Sequence, residues 1–118
     1  MKQTEILVKS TIDGTMQPSL FYKAESDEKR PLLVGLHTWS HNRFNQIKNM
    51  LPYAEKHNLN LLLPEFRGPN LTSNPICTEA CGSLLAKQDV KDAIDYVIEN
   101  ENIDKDNIFL LGLSGGGH

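Results

Sequence analysis

The sequence predicts an α/β fold built on a mainly parallel sheet, and three observations predict it. Short, continuous apolar runs alternate with helical patterns after an opening pair of extended segments. Each run is bounded by turn residues, as in strands buried on both faces. The last run leads without interruption into a glycine-rich turn that carries a serine, Ser114.

The elements follow in order. Glu5 to Ser10 reads as a strand, Asp13-Gly14 as a turn, and Gln17 to Ala24 as a second extended segment, together a hairpin at a sheet edge. Pro31 opens the buried run Leu32-Leu33-Val34-Gly35-Leu36, and a polar stretch, His37 to Asn45, comes next. Ile47, Met50, Leu51 and Ala54 recur at helical spacing. Pro52 has no N–H to donate, so it is assigned to the first turn of a helix ending near His57-Asn58, with Phe44 to Asn49 a separate piece or a kinked extension. Leu59 to Leu63 is the next buried strand, stopped by Pro64, and an irregular region runs to about Gly82. Val90, Ala93, Ile94, Val97 and Ile98 form one face of a helix, with Lys87, Lys91, Asp92, Asp95 and Glu99 on the solvated face. Asn102 to Asn107 reads as a turn and Ile108 to Leu111 as the last buried strand.

Composition narrows the function. The chain of 118 residues has 39% hydrophobic and 23% charged residues, ordinary for one globular domain. A net charge of -3 with scattered Lys and Arg gives no electrostatic support to a nucleic-acid partner. No segment is apolar enough to span a membrane, and the run Ile6 to Val8 is too short for a signal-peptide core, so the expected compartment is the cytoplasm and no membrane partner is expected. Cys77 and Cys81 are read as two free thiols in a reducing compartment, with a local disulfide as the alternative. They do not make a metal site, because zinc asks for about three or four protein ligands.

The chemistry concentrates in Gly112-Leu113-Ser114-Gly115-Gly116, which matches the nucleophile elbow G-x-S-x-G. Such a serine projects from a sharp turn between a buried strand and a helix. Small residues at Gly112 and Gly116 allow the close packing beneath it, and the next backbone N–H, of Gly115, is aimed at a developing oxyanion. Two rival readings fail on the same residues. A phosphate loop wants a lysine after its glycines, and none follows. Leu113 to Gly116 spells an ATPase signature that works only with a Walker A loop, which the sequence lacks.

With this motif the chain resembles the prolyl-oligopeptidase-like serine hydrolases of the α/β-hydrolase superfamily. The resemblance rests on Leu36-His37-Thr38-Trp39-Ser40, Phe66-Arg67-Gly68-Pro69-Asn70, Glu79 to Ser83 with Gln88-Asp89-Val90, and Gly112 to His118, with the Ile12-Asp13-Gly14-Thr15 turn near the start. It implies the N-terminal half of an α/β-hydrolase fold, antiparallel first strands followed by a mainly parallel sheet, ending after the elbow. It also implies a single partial domain over residues 1–118. Ser114 is the implied nucleophile and Gly115 N–H one oxyanion donor, with a backbone N–H of Thr38 or Trp39 the second. The implied substrate is a small peptide or ester, and no cofactor or metal is implied.

The remaining candidates have blander roles. In this family the base follows the nucleophile, so His37 is read as supporting the oxyanion loop. His118 lies one turn along the same short helix as Ser114, where it packs rather than accepts a proton. Trp39 either lines the substrate pocket or caps the core. Arg67 holds its own loop, and Asp89 caps or orients the loop before its helix. The acid and base of the triad are expected beyond His118. The 118 residues are therefore read as a fragment, by itself nearly inactive, and the last strand is expected to have a bare edge. The alternative class is a non-catalytic binding protein of the same fold.

Overall fold

The computed structural model describes residues 2–36, 43–44, 47–65 and 84–112. The elements are β1 (Gln3–Lys9), β2 (Met16–Tyr22), β3 (Arg30–Leu36), α1 (Ile47–His57), β4 (Asn60–Pro64), α2 (Leu84–Asn100) and β5 (Ile103–Gly112). They form one sheet in the order β1-β2-β4-β3-β5. β1 pairs with β2 and β2 with β4 antiparallel, whereas β3 runs parallel to both β4 and β5. This is the expected architecture, antiparallel strands first and a parallel sheet after them.

The hairpin is set by local chemistry. Gly14 has φ +73°, a conformation that costs a Cβ-bearing residue steric strain. Asp13 accepts the Thr15 N–H and the Thr15 hydroxyl on the same Oδ1, at 3.1 and 2.7 Å. Pro18 lies outside the stretch Ser19 to Tyr22 that β2 pairs with β4, so its missing N–H is not demanded on that side.

The inner strands alternate between two apolar layers, as the two-residue period of a strand requires. Leu32, Val34, Leu36, Phe21 and Leu62 pack with Ala93 and Val97 under α2. Leu33, Leu20, Tyr22, Leu61 and Leu63 pack with Met50 and Ala54 under α1. Each fully buried leucine contributes about 1.5–3 kcal/mol. Gly35 lets α1 approach: a Cβ there would run into the Met50 sulfur and come within 2.7 Å of Leu63 Cδ2.

Four details differ from the sequence expectation. Ile108 to Leu111, expected as a buried strand, leaves Phe109, Leu110 and Leu111 exposed, because among the described residues β5 has a partner on one side alone. Pro52 lies inside α1 rather than in its first turn, because the helix already begins at Ile47. Burial of Met50 and Ala54 on either side, with Ile47 and Leu51 partly buried, offsets the lost backbone hydrogen bond. β5 begins at Ile103, not after Asn107. Ile103 pairs with Arg30, the register then slips, and pairing resumes at Leu32 with Ile108. The slipped residues keep turn chemistry, with Asp104 accepting from Asp106 N–H at 3.2 Å and from Asn107 Nδ2 at 2.8 Å. Asp92, assigned to the solvated face of its helix, is buried (7% exposed). It accepts the Thr11 N–H at 2.9 Å, the Thr11 hydroxyl at 3.1 Å and Gln88 Nε2 at 2.9 Å. A partner 81 positions away made that side chain internal.

The end of the sheet where the parallel strands start is closed by polar side chains. Buried Asn60 accepts Ala24 N–H at 2.8 Å and donates to Arg30 C=O at 3.0 Å. Asn58, at φ 51°, ends α1 in the left-handed conformation common at helix C-termini. Arg30 donates to the carbonyls of Asn58 and His57 at 2.9 and 3.0 Å, so the last carbonyl of α1 has a donor.

Candidate active site

In parallel sheets with helices on their faces, ligands bind where the strands end. Here β3 and β5 end level with one another. Gly35 pairs with Leu111, and Leu36 with Gly112. The chain therefore leaves β3 toward His37-Thr38-Trp39, and leaves β5 toward Leu113-Ser114-Gly115, from adjacent strands about 4.8 Å apart. Gly112 is the last residue of β5, so the elbow motif does follow a strand.

Ser114, Gly115 and Gly116 lie outside the described residues, as do Thr38, Trp39, His37, Arg67, His118, Cys77 and Cys81. Asp89 is buried inside α2, the sixth residue of the helix, and so does not precede it as a cap. His57 closes α1 at the opposite end of the sheet, where Arg30 binds its carbonyl. It is thereby excluded from a site at Gly112. Among the described residues no group of three or more His, Cys, Asp or Glu side chains is placed to hold a metal ion. Nor is any helix among them long and apolar enough to cross a membrane.

Sequence reasoning missed one polar cluster at this end. Arg43 belongs to the connection between β3 and α1, and Glu65 directly follows β4. Glu65 Oε1 accepts the Arg43 backbone N–H at 2.8 Å and pairs with Arg43 Nη1 at 3.2 Å. Arg43 Nη2 reaches Glu5 Oε1 on β1 at 2.9 Å. The guanidinium carbon lies 4.5 Å from the Phe44 ring centroid, a cation–π distance. The Arg43 and Glu65 side chains are only 16% and 17% exposed. Among the described residues the buried Arg43 Nε–H finds no acceptor, a cost of about 1–3 kcal/mol that the other contacts must exceed. A charged residue immediately after a buried strand was the available signal, but its partner lies 22 positions away.

Among the described residues, Asp92 and Tyr22 are shifted from their ordinary values. Burial alone would raise the Asp92 carboxyl. The hydrogen bonds from the Thr11 backbone, Gln88 and the Thr11 hydroxyl, with the charge of Lys91, outweigh it and hold the carboxyl below the usual range. Burial, reinforced by the Glu55 charge, raises Tyr22.

No protein-family model matches the sequence, and no curated protein matches it. Solved structures do match. A thermostable esterase superposes with a TM-score of 0.74 at 22% identity, over 98% of this chain and 35% of the esterase. The S-formylglutathione hydrolase FrmB from Staphylococcus aureus gives 0.72 at 19% identity, over 99% of this chain and 50% of the other. The acylaminoacyl peptidase of Pyrococcus horikoshii gives 0.74 at 19%, over 98% and 20%. The chain thus spans between a fifth and a half of the length of these neighbours. At such identities the likeness is one of fold, and the chain has the α/β-hydrolase fold over the part it spans.

Proposed function

We propose that this chain supplies the nucleophile half of a serine hydrolase that cleaves an acyl bond, ester or peptide, through an acyl-enzyme. The observation that carries the reading is the pairing of Leu36 with Gly112. It brings the exit of β3 and the entrance to the elbow together at the end of the sheet where α/β folds bind ligands. Ser114 Oγ attacks the carbonyl carbon while a base takes its proton. The carbonyl oxygen becomes an oxyanion held by Gly115 N–H and a backbone N–H of Thr38 or Trp39. Collapse expels the alcohol or amine, which regains the proton, and water then releases the acid by the same route. Gly112 and Gly116 serve the turn rather than the reaction.

The base has to come from a separate loop, held by its own acid. Within these 118 residues no histidine meets that requirement. His37 and His41 precede the nucleophile, His57 lies at the far end of the sheet, and His118 is four positions from Ser114. The reading therefore assigns base and acid to chain outside these residues, and little activity to the 118 residues by themselves. The solved neighbours, which include esterases and an acylaminoacyl peptidase, support an acyl bond as the target and leave both leaving groups in play.

A fluorophosphonate probe tests the nucleophile. Protein that also carries the acid and base is expected to label, and Ser114→Ala to abolish the label. Absence of label on such protein, shown to be folded by circular dichroism, would sink the reading. A panel of acyl esters and acylated peptides then separates esterase from peptidase by kcat/KM.

A further inference from the structure

We infer that the outer edge of β5 is an interface for a second copy of this chain, joined strand to strand as a twofold dimer. On its inner side, Ile108 to Gly112 pairs with Leu32 to Leu36 of β3. On the other side no strand pairs with it among the described residues, because β5 stands last in the sheet. A strand with one neighbour directs every second N–H and C=O outward. Along that edge Phe109, Leu110 and Leu111 are 52%, 57% and 46% exposed. The segment Ile108-Phe109-Leu110-Leu111-Gly112 holds neither a charge nor a proline, the residues that keep an edge strand single.

The occupant follows from the symmetry of the segment. A twofold axis through Leu110, perpendicular to the sheet, sets the segment antiparallel to its own copy. Leu110 then stands opposite the partner's Leu110, and Phe109 opposite the partner's Leu111. The operation keeps each face of the sheet on its own side. Phe109 lies in register with Leu33, on the α1 face, and Leu110 with Val34, on the α2 face. Aromatic and aliphatic side chains therefore meet across the strands on the α1 face, and leucines on the α2 face, with no like charges opposed. Two sheets become one, and β5 becomes the interior strand its composition suits. An isologous contact of this kind closes at two copies. With about half of three apolar side chains open on each copy, the pairing buries on the order of 700 Å² in all, short of the roughly 1,200 Å² where durable complexes begin. The dimer is therefore reversible, held by the backbone ladder as much as by apolar area.

The oligomeric state of the 118-residue chain tests the interface without any substitution. In sedimentation equilibrium the mass should rise from one copy to two across roughly 1–300 micromolar and stop there. A single copy throughout, or association that continues past two, would overturn the proposal.

Register is read by disulfide formation, in chain that carries Cys77→Ser and Cys81→Ser and keeps the wild-type circular dichroism. Directly opposed residues of an antiparallel ladder have Cβ atoms about 4.5–5.5 Å apart and diagonal neighbours about 7–8 Å, so opposed cysteines are the ones that link under mild oxidation. Leu110→Cys should link to its own copy. Phe109→Cys and Leu111→Cys should each remain unlinked alone and link to one another when mixed. One of these two sites is a non-hydrogen-bonded pair wherever the ladder falls, and such pairs approach more closely. Phe109→Cys linking to its own copy would mean that faces meet rather than edges. Leu7→Cys linking to its own copy would move the contact to β1. Either result overturns the proposal.

Discussion

The two outermost strands of the sheet, β1 and β5, are built from different chemistry. β1 pairs antiparallel with β2, and Gln3, Thr4, Glu5 and Lys9 on it are exposed and polar. Glu5 is occupied by Arg43, and the turn that follows β1 is fastened to α2 through Thr11 and Asp92. Leu7 is its one large apolar side chain in solvent. β5 pairs parallel with β3, and consecutive Phe109, Leu110 and Leu111 are 52%, 57% and 46% exposed. Successive strand residues point to opposite faces, so β5 exposes apolar side chains on both. Phe109 and Leu111 open onto an apolar groove of about 550 Å³ floored by Leu33 and flanked by Met50 and Tyr53. β1 has the composition of a permanent edge, and β5 that of an interior strand. The difference is one of side-chain chemistry, since among the described residues each strand has one partner.

That contrast can be broken most directly at β5. A flat apolar strand with an open ladder is a template for association. Sedimentation of the 118-residue chain at tens of micromolar (about the range where exposed apolar strands associate) should show concentration-dependent assembly. The pair Phe109→Lys and Leu111→Lys should abolish it, whereas Leu7→Lys on β1 should change nothing. A wild-type chain that stays monomeric would erase the distinction between the strands.

Gly35→Ala comes next. It should lower the urea stability by about 1–3 kcal/mol, because the new methyl group meets Met50 and Leu63 beneath α1. An unchanged midpoint would mean that the seat of α1 over β3 is loose.

The β1 side is sharpened by Asp92→Ala, expected to cost about 1–3 kcal/mol at pH 7 by leaving Thr11 without its acceptor. The pH dependence has a definite sign. Because the folded-state value is lowered, ionised Asp92 favours the folded state above its ordinary value of 3.8, and that stability is lost as the pH falls through the lowered value. Asp92→Asn should flatten the acid limb of the stability profile below about pH 4. A limb as steep as the wild type's would show that other carboxylates dominate it. The smallest effect is expected at Lys91 and Asp95, an exposed pair at 3.4 Å on α2, where Lys91→Ala should move stability by less than about 0.5 kcal/mol.

The features legible in the sequence are those with short-range causes. Asp13-Gly14 announced its turn, Leu32 to Leu36 its buried strand, and Val90 to Ile98 the apolar face of α2. The last strand, expected to end at Leu111, runs one residue further, to Gly112. The readings that failed turned on distant partners. Asp92 looked like a solvated helix residue until Thr11 folded onto it. Pro52 looked like a helix start because the buried neighbours that sustain the helix around it belong to tertiary packing. Arg43 and Glu65 drew no attention because their contact spans 22 positions and joins two different connections.

By itself the sequence determined the alternation of strands and helices and the serine motif waiting at the end of the last strand. Both are set by side-chain periodicity and backbone preference within a few residues. Only the tertiary structure decided that β4 lies between β2 and β3, that Leu36 stands beside Gly112, and that Arg43 reaches Glu65. Those outcomes depend on which apolar faces bury one another across the sheet. That choice is a property of the whole packed chain, and no local stretch of it carries the information.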